Sequence, residues 1–557
     1  MRCEDTLATT ITVRRYTLSC MTQFSILRLS TLSSKLAWIA HRQWLCVTLI
    51  GLIAFLGSAA VGLIVGIREP KFHDEFSYLL AADTFAHGRL TNPTHPMWVH
   101  FESFHIIHQP TYMSKYPLGQ GIALAAGQII AGHPIVGVWL SFGLMCAAIC
   151  WMLYAWLSPR WAILGSVLAL INPVLGIAGY WAQGYWGGAV AAMGGALVLG
   201  GTKRLIHQPH IRDSLLMGAG LAILANSRPF EGLLVSLPAG VFLFLYIINQ
   251  RGQALWLSVR RIVAPIVIVL ALAIVGMEFY NLRVTGNPLR MPYQTHEEIY
   301  AMAPIFLWQK LPPEPEYRHK VIRDFHATYG LPFYTSKHSI PGFLLEDVYP
   351  LLSMEFRALN IFLIPVIIAF PVLISWTLRN RWARLGLIIQ FVLVLGLLTE
   401  PFKYTHYLAP ITGLNYYFVV NALRLARWRN RKIGQVILWL TLLLAIAALL
   451  VSLQATIRTD NSSSWQVRRA QLLKQLKHKD GKHLIIVSYG TRHSFHDEWV
   501  YNEADIDNAK VVFARAMDSK QDCQLVEYFK SRRIWSLDID DDELIPELKQ
   551  YPVSVCK

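Results

Sequence analysis

Two adjacent carboxylates, Asp74 and Glu75, follow the first long apolar stretch of the chain, where a membrane surface would meet water. A carboxylate in that position can act as a general base that takes the proton from an attacking hydroxyl group. The alternative role is structural, because Asp is also a common cap at the start of a helix. The spacing alone leaves both roles open for Asp74.

Cationic and imidazole side chains stand at other boundaries between apolar and polar sequence. A departing phosphate needs stabilisation by cations rather than by a proton, so these side chains are candidates for holding a phosphate. Two of them have structural alternatives, since Lys115 could extend to the membrane interface and Arg228 could pair with Glu231. The four candidates are Lys115, Arg228, Lys403 and His406.

Histidines and carboxylates recur in two of the polar segments that separate the apolar runs. Imidazole and carboxylate groups together can bind a divalent cation, but no recognised ligand spacing occurs here. A divalent metal therefore stays an open alternative, and no cofactor is indicated with certainty. The weak candidate ligands are His105, His108, His296 and Glu297.

The amino-acid composition indicates whether these residues belong to a soluble protein or to a membrane protein. Of 557 residues, 54% are apolar and 15% are charged, whereas soluble proteins carry about 25% charged residues. Several uncharged runs reach the length of about 20 residues that crosses a bilayer. The chain is therefore predicted to be a membrane protein, and a soluble globular enzyme is excluded.

The net charge of +16 could suggest nucleic acid as a partner, but its distribution indicates a membrane orientation. With the N-terminus placed inside, the inward segments carry +18, and the outward segments 68–133, 282–358 and 458–557 carry −1, 0 and 0. This is the positive-inside pattern, which leaves no basic surface for nucleic acid.

The same charge pattern predicts an all-α polytopic protein in three parts: an inward segment 1–43, a membrane domain 44–456 and an outward domain 457–557. The membrane domain has outward loops at 68–133 and 282–358. Eleven spans are expected, at 44–67, 134–157, 161–178, 186–202, 214–227, 232–249, 262–280, 359–378, 385–400, 408–423 and 433–456.

The first outward loop is predicted to hold two interfacial helices joined by a histidine-rich connection. Asp74–His87 has an approximate apolar stripe, and Tyr116–Gly132 is apolar but would invert every later loop if it crossed the membrane. The outward domain is predicted to be a small α/β unit, with strands at His483–Tyr489, Lys510–Arg515 and Ile534–Asp540 and a helix at Gln521–Lys530.

The order of these elements resembles the GT-C membrane glycosyltransferases. One span is followed by Asp74-Glu75 at the start of one interfacial helix and by Lys115-Tyr116-Pro117 at the start of a second. The most similar types are the family 39 protein O-mannosyltransferases and the bacterial transferases that add aminoarabinose to lipid A. The resemblance covers mainly residues 44–260 together with the overall topology.

This resemblance implies a catalytic carboxylate at Asp74, with Glu75 beside it, and a donor-phosphate contact at Lys115. It also implies inverting transfer from a polyprenyl-phosphate sugar on the outer face. The aminoarabinose transferases have a metal-binding Glu directly before the Lys, whereas this chain has Ser114, which favours transfer without a metal. Arg228, Lys403 and His406 match the family by location only.

The function predicted is therefore an integral-membrane glycosyltransferase whose acceptor is a protein, a lipid or a glycan. By resemblance its location is a bacterial inner membrane, with a cytoplasmic N-terminus and a periplasmic C-terminal domain. The alternatives are a secondary transporter or lipid flippase, or a non-catalytic subunit for envelope assembly. A transporter typically shows repeated halves and midplane charges, and this sequence shows neither.

Overall fold

A computed structural model describes residues 38–458, 464–540 and 547–556. The predicted inward segment 1–43 lies almost entirely outside these residues. The described chain forms a helical membrane domain followed by a smaller α/β unit, so the predicted fold class is confirmed.

Helices account for nearly all of the membrane domain. In chain order they are α1 (Gln43–Val65), α2 (His73–Ala86), α3 (Leu118–Ala131), α4 (Ile135–Trp156), α5 (Pro159–Leu170), α6 (Gly188–His207), α7 (Ile211–Ala225), α8 (Pro229–Ile248), α9 (Gly252–Thr285), α10 (Pro292–Tyr300), α11 (Lys320–Phe325), α12 (Ile340–Arg379), α13 (Arg381–Leu397), α14 (Thr412–Arg429) and α15 (Arg431–Arg458). Short helical turns lie at Trp98–Phe101, Tyr180–Gln183, His326–Gly330, Leu331–Thr335, Ser336–His338 and Thr405–Ile411.

Each of the eleven predicted spans overlaps one of these helices, but the span predicted at 161–178 is helical only as far as Leu170. Seven helices of the described ranges, α1, α4, α6, α8, α9, α12 and α15, are long and apolar enough to cross a membrane. The other four predicted spans correspond to α5, α7, α13 and α14, which are shorter or more polar. The helix α12 is bent at Asn360, whose φ is 50°, and the predicted span 359–378 covers only its second half.

Glycines allow two close approaches that position the outward side of the domain. A methyl group on Gly127 of α3 would lie 2.0 Å from the backbone nitrogen of Gly137 in α4. A methyl group on Gly195 of α6 would lie 1.9 Å from the carbonyl oxygen of Pro410, in the turn that carries His406. Larger residues at either glycine would push these backbones apart.

The first outward loop contains more structure than the sequence predicted. The helices α2 and α3 lie where the two interfacial helices were expected, but the histidine-rich connection forms a small antiparallel sheet. Its strands β1 (Asn92–Pro93), β2 (Ile106–Ile107) and β3 (Thr111–Ser114) are arranged in the order β1-β3-β2. The sheet leads directly to Lys115 and so fixes the start of α3.

The C-terminal unit is an α/β fold with α16 (Trp465–His478), α17 (Ser519–Tyr528) and a four-stranded sheet. The strands β4 (His483–Tyr489), β5 (Val511–Arg515), β6 (Arg533–Ile539) and β7 (Leu548–Gln550) have the order β5-β4-β6-β7. β4 runs parallel to β5 and β6, and β7 is antiparallel to β6. The predicted strands and helix are confirmed within two residues, and β7 was not predicted.

The C-terminal unit and the first outward loop share one apolar core. Phe76 of α2 stacks on Tyr501 with 4.0 Å between ring centroids, and His73 shares a hydrogen bond of 2.7 Å with the same tyrosine. The backbone nitrogen of Ala504 donates a 2.8 Å hydrogen bond to Asp83. The α/β unit therefore supports α2, whose first turn carries Asp74.

A disulfide links Cys523 to Cys556 across 33 positions of the chain. Closing a loop of this length restricts the unfolded chain and contributes about 2–4 kcal/mol of stability. We expect the double variant Cys523→Ser/Cys556→Ser to lower the melting temperature of the C-terminal unit. Tyrosine and tryptophan fluorescence during heating, compared with that of the reduced wild type, measures the effect. Equal melting temperatures for oxidised wild type and variant would contradict the prediction.

Candidate functional site

Asp74 lies in the first turn of α2, and its carboxylate is buried. The hydroxyl group of Tyr116 donates a hydrogen bond to its Oδ1. Burial raises the pKa of Asp74, whereas the Tyr116 hydrogen bond and the charges of Lys115 and Arg228 lower it. Two cations and one hydroxyl group therefore converge on a single carboxylate.

Glu75 does not share this environment. Successive side chains of an α-helix point about 100° apart, and the Glu75 carboxylate is instead buried against backbone amides. It accepts hydrogen bonds of 2.9 Å from Tyr185 and of 2.9 and 3.2 Å from Lys71 and Phe72. These bonds fix the start of α2, and Glu75 lines neither of the two cavities that border Asp74.

Two cavities meet at Asp74. The larger, about 320 Å³, is lined by groups from α8, α10 and the turn that follows α13. The smaller, about 100 Å³, extends towards His105 and His326. Asp74, Tyr116 and Glu297 border both, so one reacting group could enter from each side.

Lys115 lies in the smaller cavity and is only 5% exposed. Its Nζ is 3.3 Å from Oε1 of Glu297, and the same oxygen is 3.4 Å from Nδ1 of His296. Burial would raise the pKa of Glu297, but Lys115 and His296 together lower it to about 2. Lys115 is therefore paired with a carboxylate inside the site and does not extend to the interface.

Arg228 precedes α8 and lines the larger cavity. Its Nη1 is 3.6 Å from Oε1 of Glu231, which is the pairing that the sequence suggested as an alternative. Its guanidinium also lies 4.8 Å from the centre of the Tyr407 ring. His406 borders the same cavity, and burial lowers the pKa of its imidazole well below the ordinary range. Arg228 and His406 thus occupy one wall together.

Lys403 is held outside both cavities. Its Nζ is 2.5 Å from Oδ1 of Asp347, and Nζ of Lys337 is 2.9 Å from the same oxygen. Burial and the neighbouring Lys337 lower the pKa of Lys403 to about 8. This buried group of two lysines and one aspartate supports the turn that follows α13, and Lys403 does not face Asp74.

The four candidate metal ligands are only partly brought together. The rings of His105 and His296 are 5.9 Å apart, but His108 packs against Trp98 and lines neither cavity. Among the described residues, no group of three or more His, Cys, Asp or Glu side chains is arranged to hold a metal ion.

Several residues of the site were not selected from the sequence. Burial and the nearby Glu231 raise the pKa of Glu400, a carboxyl group of the larger cavity. Tyr116 lies within the Lys115-Tyr116-Pro117 triplet, but the sequence did not indicate it as a site residue, because a tyrosine is not by itself typical of a functional site. The other missed lining residues are Tyr78, Trp186, Tyr293, Tyr404 and Tyr407.

Comparisons with known proteins bear on the fold. No protein-family model matches the sequence, and no curated protein matches it. The structure is similar to that of ArnT from Cupriavidus metallidurans in the apo state, with 12% identity and a TM-score of 0.50 over 88% of this chain and 93% of that one. ArnT bound to undecaprenyl phosphate gives 14% identity and a TM-score of 0.51 over the same shares.

Oligosaccharyltransferase AglB from Archaeoglobus fulgidus is more distant, with 10% identity and a TM-score of 0.45 over 88% of this chain and 69% of that one. ArnT is a lipid A aminoarabinose transferase with the GT-C fold. The similarity to ArnT shows that this chain has that fold, as the sequence resemblance implied. The chain is an integral, multi-pass membrane protein.

Proposed function

We propose that this protein is a glycosyltransferase that moves a sugar from a polyprenyl-phosphate donor to an acceptor hydroxyl or other nucleophile on the outer face of the membrane. The observation that carries the proposal is the buried carboxylate of Asp74, placed where two cavities meet and faced by Lys115 and Arg228. The shared fold supports it, because the ArnT structure with undecaprenyl phosphate contains the same class of lipid.

In the proposed reaction the acceptor oxygen attacks the anomeric carbon of the sugar. The bond between that carbon and the phosphate oxygen breaks, and the sugar inverts its configuration. Asp74 takes the proton of the acceptor hydroxyl, and polyprenyl phosphate leaves with the bonding electron pair. The hydroxyl group of Tyr116 orients the carboxylate and reduces the energy required to keep it charged.

Arg228 is the cation that we assign to the donor phosphate. It faces the larger cavity, where Phe230, Ile305 and Phe306 provide apolar surface for a polyprenyl chain. A guanidinium can bind two phosphate oxygens at once and so hold the leaving group in place. Lys115 approaches Asp74 from the other cavity and supplies the second positive charge.

The same geometry argues against the alternative functions. A transporter would need ionisable groups that line a path through the membrane, whereas Asp74, Lys115, Arg228 and Glu297 cluster at the ends of helices on one side. A scaffold would have no use for a buried carboxylate between two cavities, because leaving such a group charged is costly. We also infer a bacterial inner membrane, with the N-terminus in the cytoplasm and the C-terminal unit in the periplasm.

The direct test is the release of free polyprenyl phosphate from labelled polyprenyl-phosphate sugars in native-host membranes enriched in this protein. The assay does not require the acceptor to be known, and a panel of sugars identifies the donor. Release above that of membranes without the protein supports the proposal. No release from any sugar, with folded protein, would favour a transporter or scaffold.

The reaction should depend on pH through Asp74. A general base acts only when it is deprotonated, and burial raises the pKa of Asp74 above 3.8, so the rate should fall as pH decreases through this raised value. Lys115 lowers that pKa, so Lys115→Gln should move the acidic limb to higher pH. The profile of kcat/KM against pH measures the shift. An acidic limb at the same pH in both proteins would contradict the assignment.

A further inference from the structure

A third cavity, of about 480 Å³, lies away from Asp74, between the second outward loop and the C-terminal unit. The loop contributes α11 and the residues directly before it, and the α/β unit contributes the ends of β4 and β5. Its volume is in the range of small-molecule sites, about 300–1,000 Å³. We call this cavity the distal crevice.

The distal crevice lies where α/β sheets usually bind ligands. β4 and β5 are adjacent parallel strands, and the crevice lies at their carboxyl ends, the edge at which open α/β sheets bind ligands. Gly490 and Thr491 follow β4, and Ala516 and Met517 follow β5; all four line the crevice. The first turn of α17 faces it through Gln521.

Arg515, the last residue of β5, provides an independent sign of a ligand. It is 4% exposed and lines the crevice. Its Nη2 donates hydrogen bonds of 2.8 Å to Glu498 and 3.0 Å to the carbonyl oxygen of Glu102. Its Nε and Nη1 atoms are buried and have no hydrogen-bond partner within the described ranges. A buried guanidinium with two unused donors fits an anionic oxygen acceptor.

The rest of the lining adds positive charge and hydrogen-bonding groups. Arg318 and Lys320 stand at the crevice with Arg515, but Arg318 is paired with Glu102 at 3.8 Å and Lys320 with Asp324 at 2.5 Å. Asp518 and the side chains of Thr491, His493 and Gln521 complete the polar wall, so Arg515 is the cation with donors left for a ligand. Hydroxyl, imidazole and amide groups of this kind can bind the hydroxyl groups of a sugar. The combination favours a sugar that carries an oxyanion.

The helix α11 connects the distal crevice to the proposed active site. Val321 and Asp324 line the crevice, while Phe325 at the end of the helix and His326 beyond it line the smaller cavity beside Asp74. A ligand in the crevice would thus lie against one side of a segment whose other side forms the wall of the site.

We propose that the distal crevice recognises the acceptor by binding an oxyanion-bearing sugar, through either a phosphate or a carboxylate group. Its role as an acceptor site rests on the proposed transferase function. The binding itself does not, because it depends on Arg515, Arg318 and the polar wall of the crevice.

The test measures binding to full-length protein in detergent by calorimetry, with glucose 1-phosphate and glucuronate as probes and glucose as the neutral comparison. We expect saturable binding of at least one oxyanionic probe and at least tenfold weaker binding of glucose. The two probes distinguish a phosphate site from a carboxylate site. Equal affinity for glucose and both probes, or no saturable binding, would overturn the inference.

Gln521→Glu places a negative charge in the crevice without changing the shape of the side chain. At the third position of α17 a Glu is also favourable for the helix, so the variant should fold. We expect it to weaken binding of the oxyanionic probe about tenfold, or about 1.4 kcal/mol. Gln550→Glu makes the same change on β7, outside the crevice, and should bind like the wild type.

Unchanged affinity in Gln521→Glu, or the same loss in both variants, would overturn the assignment of the probe to this crevice. The release of polyprenyl phosphate is measured separately in the wild type. Probe binding without release would contradict the proposed transferase function but not the proposed binding site. Release without probe binding would contradict only the binding site in the distal crevice.

Discussion

Replacing Asp74 by Asn should reduce the release of polyprenyl phosphate by about 10²–10⁴-fold, the usual contribution of a general base. The amide has nearly the same shape and can still accept the hydrogen bond from Tyr116, so folding and donor binding should be retained. The comparison is made in the release assay at saturating donor, with the melting temperature measured on the same preparations.

Asp83→Asn is the matched control, because it makes the same chemical change on the same helix. Asp83 accepts hydrogen bonds from Gln128 and from the backbone of Ala504, and it borders neither cavity next to Asp74. We expect this variant to release polyprenyl phosphate within about threefold of the wild-type rate, because Asn keeps one acceptor oxygen for these hydrogen bonds and lies outside both cavities. A wild-type rate in Asp74→Asn would show that Asp74 serves only the structure of the first turn of α2, which Phe72 caps.

Replacing Arg228 by Gln should raise the KM for the polyprenyl-phosphate donor by about 30–1,000-fold, because a buried charge-assisted contact is worth about 2–4 kcal/mol. The expected physical reason is the loss of the guanidinium that holds the phosphate oxygens. Initial rates of release over a range of donor concentrations measure KM and kcat separately.

The variant also leaves Glu231 buried without its partner, which by itself can destabilise the protein. The double variant Arg228→Gln/Glu231→Gln removes both charges and should recover the melting temperature while keeping the raised KM. Arg228→Lys keeps one positive charge and should lie between the wild type and Arg228→Gln. Full recovery of KM in the double variant would mean that Arg228 serves only to neutralise Glu231.

The sequence predicted the elements of this fold better than the contacts between them. Apolar run length and loop charge identify spans directly, because each is a local property of the chain. The same holds for β4, α17 and β6, whose patterns are local. The strand β1 has two residues and β7 has three, so neither carries a pattern that could be recognised before its pairing partner is known.

The candidate site shows the same difference: individual residues were predicted from the sequence better than the contacts between them. Asp74 and Lys115 stand in motifs at the start of α2 and α3, and the structure brings both to one place. The separation of Asp74 from Glu75 was also predictable, since adjacent helical residues cannot face the same point. By contrast, Lys403 and Asp347 are 56 positions apart in the sequence. No local pattern indicates that Asp347 holds Lys403 away from the two cavities at Asp74. Glu297 was predicted only as a weak candidate metal ligand, whereas in the structure its carboxylate is paired with Lys115.

The shared core between α2 and the C-terminal unit has a consequence for the synthesis of the protein. His73 and Tyr501 are 428 positions apart, so the ribosome completes every membrane helix before the partner of α2 exists. Until then Phe76 and its neighbours lack their apolar cover, and the contacts of Tyr116 and Glu75 within the membrane domain hold the first turn of α2. The apolar face of α2 is therefore completed only after the C-terminal unit has been synthesised and has folded against it.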